Sequence, residues 1–349
     1  MNTLKIFVNE DFSSLPALLT GETELFLIYD ANVESSAKML ISSCEAAASA
    51  IKASLAIQTS ETVKTMDTVM SICSFLLDNG ASRKALVLAL GGGITTDMAG
   101  FAASIYKRGV RFANIPTTLL AQVDAAIGGK TGVNFEHYKN ILGVINQPEF
   151  TYIAGNVLNT LGRREYLSGV AELLKTFIIA DAESYARAVE DLRQGKPVGA
   201  GLIEAAARIK AGVVERDEKE NGERRNLNLG HTVAHAIEWW QGEDTEMQGV
   251  DTKATDYSHG EAVAIGMVKA AELSEKLGYC KKGLSARIKA DLEAVGLPTE
   301  CSISVDVFAR AISQDKKAVG DSIWFVLIRS IGRVEARYMP LDEVIDALR

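Results

Sequence analysis

The sequence predicts an α/β N-terminal domain with a mostly parallel sheet, followed by a mainly α-helical C-terminal domain. Three observations carry this prediction. Over residues 1–156, short apolar runs alternate with stretches of helical spacing, which is how βαβ units appear in a sequence. One run, residues 85–90 (Ala-Leu-Val-Leu-Ala-Leu), is apolar throughout, as suits a strand covered on both faces. From residue 157 the alternation stops and helical patterns dominate. A chain of 349 residues is long enough for two cores, and the domains are expected at 1–156 and 157–349.

Taken in order, residues 5–8 and 25–29 predict strands, the second running into Asp30-Ala31-Asn32. Residues 33–48 lack Gly and Pro and predict a helix, 55–58 a third strand, and 62–77 a second helix with apolar spacing at Val63, Met66, Val69, Met70, Cys73, Leu76 and Leu77. The 85–90 strand then meets Gly91-Gly92-Gly93-Ile94-Thr95-Thr96-Asp97. Glycines let backbone N–H groups approach an anion, and a helix N-terminus adds its dipole. A strand, three glycines and a helix with Thr96 as N-cap therefore make a phosphate-binding candidate. A tight strand-to-helix turn explains the same residues, and the GxGxxG dinucleotide fingerprint is absent. Strand 113–115 ends at Pro116. Gly128-Gly129-Lys130-Thr131 resembles the end of a P-loop, but the place of its first glycine holds Asp124, so a nucleotide hydrolase is not indicated. Lys107, Arg108, Lys130 and Lys139 between and beside glycines suit a phosphorylated small molecule, or a solvated charged loop.

In the second half, residues 158–161 predict a helix start, and 167–180 and 202–215 predict helices, the latter carrying Lys210. Glu172 and Lys175 sit three apart on an otherwise apolar helix. A carboxylate there is a metal ligand or half of an i,i+3 ion pair. After a turn at 221–224 comes Leu-Asn-Leu-Gly-His-Thr-Val-Ala-His-Ala-Ile-Glu, residues 227–238. His231 and His235 leave one helix face a turn apart, and His259 opens the next apolar run, at or near a helix start. Three of the chain's four histidines fall in this region. Imidazole is the commonest metal ligand, while unrelated core or surface histidines are the alternative. The polar residues 241–257 predict a long exposed loop between His235 and His259. Residues 284–295 and 305–312 predict helices, 323–328 with 332–336 a strand pair, and 341–348 a closing helix.

Composition narrows the function. The net charge of −8 argues against a nucleic-acid surface, and no stretch reaches the ~18 apolar residues of a membrane span. The four cysteines follow no metal or disulfide spacing, and the N-terminus carries no signal-peptide pattern, so a reducing cytoplasm is expected.

Together these residues resemble the 3-dehydroquinate synthase family of sugar-phosphate cyclases. The resemblance runs from about residue 30 to 333. It is carried by Gly91-Gly92-Gly93 with Asp97, Lys107-Arg108-Gly109-Val110-Arg111-Phe112, residues 116–124, residues 128–132, Lys139-Asn140, Ala171-Glu172-Leu173-Leu174-Lys175, residues 227–238 and His259-Gly260-Glu261. It implies a Rossmann-like NAD domain and a helical metal- and substrate-binding domain, with the active site in the cleft. It further implies Zn²⁺ or Co²⁺ on Glu172, His231 and His259, which leaves His235 to the substrate. By the same likeness NAD meets Asp30, Asn32, Glu61, Lys64, Gly92, Gly93, Ile94, Asp97, Thr117, Thr118, Lys139, Leu158, Thr160 and Leu161. Catalysis falls to Asp124, Lys130, Lys175, Arg224, Asn228 and His235. Arg108, Asn140, Lys210 and one of Lys316 and Lys317 bind the substrate. The implied reaction is the shikimate-pathway conversion of 3-deoxy-D-arabino-heptulosonate 7-phosphate to 3-dehydroquinate and phosphate, by a homodimer.

Four features depart from the family pattern. Thr96, Ala234 and Tyr138 stand where glycine is usual, and the 241–257 segment is about a dozen residues longer. Competing readings are a sibling cyclase acting on another sugar phosphate, a metal-dependent polyol dehydrogenase and a non-catalytic NAD- or metal-binding module. Lys139-Asn140, Asn228 and His235 favour the dehydroquinate reading over the siblings, and the density of cations speaks against the dehydrogenase.

Overall fold

The structure is a computed structural model that describes residues 3–47, 49–136, 138–247, 256–301, 309–311 and 322–348. It divides into two compact units, residues 1–162 and 163–349.

The first unit is built on a six-stranded sheet of β1 (Ile6–Asn9), β2 (Leu25–Asp30), β3 (Ile51–Ile57), β4 (Leu86–Gly91), β5 (Arg111–Pro116) and β8 (Thr151–Ala154). The order is β1-β8-β5-β4-β2-β3 and every pairing is parallel. Alternate residues serve opposite faces, as strand geometry requires. Phe26, Ile28, Val87, Ala89 and Phe112 pack with α3 (Met66–Asp78) and α4 (Gly93–Ile105). Leu25, Leu27, Leu88, Leu90 and Ile115 pack on the other side with α1 (Leu15–Leu18) and α2 (Glu34–Ala46). All six residues of β4 are buried, which is why that strand reads as unbroken apolar sequence.

An antiparallel hairpin, β6 (Lys130–Phe135) and β7 (Tyr138–Ile145), packs along α4. The sequence pattern does not announce it, because Gly132 and Gly143 interrupt the alternation. They face each other so closely that a Cβ on either would lie 2.4 Å or less from the opposite backbone.

The second unit is helical: α5 (Arg163–Ala180), α6 (Ala182–Arg193), α7 (Ala200–Arg216), α8 (His231–Met247), α9 (His259–Lys276), α10 (Leu284–Ala294) and α11 (Leu341–Leu348), with the antiparallel pair β9 (Ser322–Ser330) and β10 (Arg333–Pro340).

Three sequence expectations are corrected. Thr96 is not an N-cap: α4 begins at Gly93 with Gly92 as its cap, and the Thr96 hydroxyl, buried inside the first turn, donates to the carbonyls of Gly92 and Gly93. Residues 158–161 do not open a helix; a 3-10 segment, Gly155–Thr160, ends there and α5 starts at Arg163. The 241–257 segment is not loop from its first residue, since α8 continues to Met247. The Gln241 amide then closes the segment, donating to the Tyr257 carbonyl and accepting from the Tyr257 N–H, both at 3.1 Å. Residues 248–255 and most of the 305–312 helix expectation lie outside the described residues.

Candidate functional site

In the second unit three helices meet through glycines. At Gly260, in the first turn of α9, a Cβ would lie 2.4 Å from the Ser168 backbone of α5. At Gly266 it would lie 2.0 Å from the carbonyl oxygen of Gly230, the residue before α8, which itself has φ +78°. Only glycine permits such approach, and at Gly230 only glycine suits the left-handed backbone. These contacts seat α9 on α5 and α8. They also bring Glu172 (α5), His231 (first residue of α8) and His259 (first residue of α9) together, with ligand atoms within 4.8 Å of one another.

The start of α9 is fixed by a capping box. Ser258 Oγ accepts from the Glu261 N–H and the Glu261 carboxylate accepts from the Ser258 N–H. Arg164 of α5 grips the same carboxylate.

The electrostatics are those of a cation site. Glu172 is fully buried, and its Oε1 has no donor in hydrogen-bonding geometry among the described residues. Lys175 pairs with Oε2, so the ion pair and the ligand cluster that the sequence left as alternatives coexist. His259 Nε2 lies 3.4 Å and His231 Nε2 3.9 Å from Oε1. Burial alone would raise the Glu172 carboxyl, but the Lys175 ammonium, then His259 and His231, hold it well below the usual range. Burial, then Lys175, pushes His231 down to about 3. His259 is raised to about 10, against burial, by Glu172 and Glu238. A buried carboxylate short of donors, faced by two imidazole Nε2 atoms, fits a divalent ion such as Zn²⁺ or Co²⁺. His235 falls outside this set: its ring is exposed, 5.5 Å from that of His231. Glu238, whose Oε1 lies 3.1 Å from His259 Nδ1, was missed as a partner in the sequence; its place seven residues after His231, two turns along one face, is the available signal.

Four further expected residues lie on α5, α7 and the 3-10 turn Glu223–Asn228, elements that pack on one another. Lys175 and Lys210 are buried on the helices, Arg224 is buried on the turn, and Asn228 closes it with its amide donating to Glu220. Asp217 accepts from the N–H groups of Asn221, Gly222 and Arg224, and Asn226 accepts from the Ala336 N–H of β10, so the turn is anchored on two sides. Lys316 and Lys317 lie outside the described residues.

In the first unit, many expected NAD residues sit just beyond the carboxyl ends of parallel strands, where open α/β sheets bind ligands. Asp30 ends β2 and accepts from the Asn32 N–H; Glu61 and Lys64 follow β3; Gly92, Gly93 and Ile94 follow β4; Thr117 and Thr118 follow β5; Leu158, Thr160 and Leu161 follow β8. The glycines give the turn its closeness: a Cβ on Gly92 would lie 3.1 Å from Thr118, and one on Gly93 3.0 Å from Ala125, the neighbour of Asp124. Lys64, nearly buried, donates to Asp97 at 2.6 Å and also to Asn140. Asn134, which the sequence did not single out, donates to Glu61 and accepts from the Asn140 N–H. Asn140, expected with the substrate, is thus joined to residues expected with NAD. Lys130 opens β6, where a P-loop would open a helix, and Lys139 is exposed on β7. Arg108 is not brought to this edge. It follows the far end of α4, a 13-residue helix and so about 20 Å from the glycine turn. The departures are accommodated: Ala234 is buried in α8 and Tyr138 is exposed at the start of β7.

Several known proteins are similar to this chain over most of its length. A 3-dehydroquinate synthase from Rhizobium etli is 39% identical over 348 residues, covering 95% of this chain and 86% of that protein. One from Geobacter metallireducens is 42% identical over 277 residues, 78% of this chain and 74% of that protein. Among solved structures, the 2-epi-5-epi-valiolone synthase of Streptomyces hygroscopicus subsp. jinggangensis, with NAD⁺ and Zn²⁺ bound, superposes with a TM-score of 0.82 at 27% identity, over 100% of this chain and 96% of that one. Residues 54–168 match the N-terminal and residues 169–318 the C-terminal description of 3-dehydroquinate synthase, and the chain belongs to that family.

Proposed function

We propose that the chain converts 3-deoxy-D-arabino-heptulosonate 7-phosphate to 3-dehydroquinate and phosphate, with NAD and a divalent metal as cofactors. The observation that carries this is the convergence of Glu172, His231 and His259 beside buried Lys175, in a chain of this family. Those three residues would hold the metal, and the residues beyond the strand ends would hold NAD. Bound there, the two supply Lewis acidity and a reversible hydride acceptor.

The chain's own groups do the rest. Oxidation of a ring carbinol makes a ketone that acidifies the neighbouring carbon, so phosphate leaves by elimination. The ketone is then reduced, the ring opens and an intramolecular aldol closes the carbocycle. Lys175, Lys210 and Arg224 suit the phosphate and carboxylate and favour developing negative charge. Asn228, held by Glu220, orients hydroxyls, and the exposed imidazole of His235 and the Asp124 carboxylate are the proton-handling groups.

Purified protein supplied with NAD and Zn²⁺ should release phosphate from the heptulosonate phosphate without accumulating NADH, followed by a phosphate-detection assay beside absorbance at the NADH band. Release from another sugar phosphate and none from this one would favour a sibling cyclase. Net NADH formation on polyols would favour a dehydrogenase.

The homodimer is part of this proposal. Tyr138, Ile141, Leu142, Val144 and Ile145 are exposed on β7, whose outer edge pairs with no strand among the described residues. A twofold axis can pair identical strands only antiparallel, so two β7 edges would cover each other. Ile141→Glu together with Ile145→Glu should weaken self-association by about 100-fold or more, because a charge would be buried unpaired. Sedimentation equilibrium reads this directly, and an unshifted dimer would remove the hairpin from the interface. No helix among the described residues is long and apolar enough to cross a membrane, and the four free cysteines support a cytoplasmic setting.

A further inference from the structure

We infer that Glu238 is the residue that positions His259 for the metal centre, an assignment that rests on the metal reading above. Glu238 Oε1 lies 3.1 Å from His259 Nδ1, while Nε2 of the same ring faces Glu172 Oε1 at 3.4 Å. An ionised carboxylate only accepts, so Nδ1 carries a proton and donates it, and Nε2 is the nitrogen turned to the cation. His231 reaches the same orientation by another route, its Nδ1 meeting the Leu229 carbonyl oxygen at 3.2 Å. Both rings therefore point Nε2 at Glu172, one locked by backbone and the other by a single side chain.

His259 needs that side chain more. It is the first residue of α9, and its side chain is 35% exposed against 14% for His231, so packing restrains it less. The other acid at the same helix start, Glu261, is engaged by the Ser258 N–H and by Arg164. Glu238 stands two turns beyond His231 on α8, so one helix supplies a ligand and also the support for a ligand on another helix. A carboxylate behind an imidazole also makes Nε2 a stronger donor, which a backbone carbonyl does less well.

The test is Zn²⁺ affinity of metal-stripped protein, read by competition with a chromophoric chelator, and the visible absorption of the Co²⁺ form. Glu238→Ala should bind Zn²⁺ about 10- to 100-fold more weakly and change the Co²⁺ spectrum. Glu238→Gln keeps an oxygen acceptor and should recover most of the affinity. The thermal unfolding of stripped Glu238→Ala should match the parent, since Glu238 is not a core residue. A Glu238→Ala protein with Zn²⁺ affinity within twofold of the parent, while His259→Ala has lost binding, overturns the positioning role and leaves the metal centre standing. Equal Zn²⁺ binding by the parent and His259→Ala overturns the metal reading itself, and this inference with it.

Discussion

His259→Ala protein is expected to lose turnover by about 10³-fold or more and to retain no stoichiometric metal, while keeping its fold. The size follows from what a Lewis acid contributes, several kcal/mol of transition-state stabilisation at roughly tenfold per 1.4 kcal/mol. The fold should survive because His259 is partly exposed at a helix start that Ser258, Glu261 and Arg164 hold without it. This is why His259 is a better probe than Glu172. Removing Glu172 would take from the buried Lys175 the carboxylate it is paired with, at a cost of about 3–5 kcal/mol. Metal content by mass spectrometry, phosphate release and a melting curve on the same sample separate the effects. Full activity, or bound metal at one per chain, would remove His259 from the ligand set.

Gly266→Ala should damage stability and site together. The added methyl would fall 2.0 Å from the Gly230 carbonyl oxygen, with the Gly230 carbonyl carbon and Cα next nearest, so backbone rather than a flexible side chain must move. Overpacking of this kind costs about 1–3 kcal/mol, and at ~2–4 °C per kcal/mol for a unit of this size the melting temperature should fall by ~2–12 °C. The displaced element is α9, which carries His259, so Zn²⁺ affinity should fall as well. Gly278→Ala is a useful control, since no atom stands within 4 Å of that Cβ, although its positive φ carries a modest strain of its own. A Gly266→Ala melting temperature equal to the parent's would show that the two backbones do not meet this closely in solution.

How much of this was legible in the sequence differs by element, for physical reasons. β4 and the glycine turn stand out because a strand buried on both faces must be apolar and a close turn must be glycine. The β6–β7 hairpin was hidden because neither strand alternates: β7 is exposed throughout, β6 buries Thr131, Gly132 and Val133 in succession, and a glycine interrupts each. β8 was missed because four residues are too few to show a period. The metal cluster was only half legible. Spacing places His231 and His235 on one face and leaves Glu172 open between ligand and ion-pair partner. The choice between those histidines depends on where α9 lands, which is set by the Gly230–Gly266 and Gly260–Ser168 contacts far apart in sequence. Arg108 is a different case. Its motif is plain in the sequence, but its position at the far end of α4 is a matter of chain path that no local pattern encodes.

The capping box at Ser258 has an architectural consequence. His259 takes its place from the cap formed by the adjoining Ser258 with Glu261, from Arg164 and from the glycine contact with α5, and the Gln241–Tyr257 clasp closes the chain just before that cap. The centre is thereby insulated from the stretch of sequence that precedes it. Residues inserted or lost between Gln241 and Tyr257 would leave the clasp and the cap in place, so the length of this segment can change without the ligand being carried along.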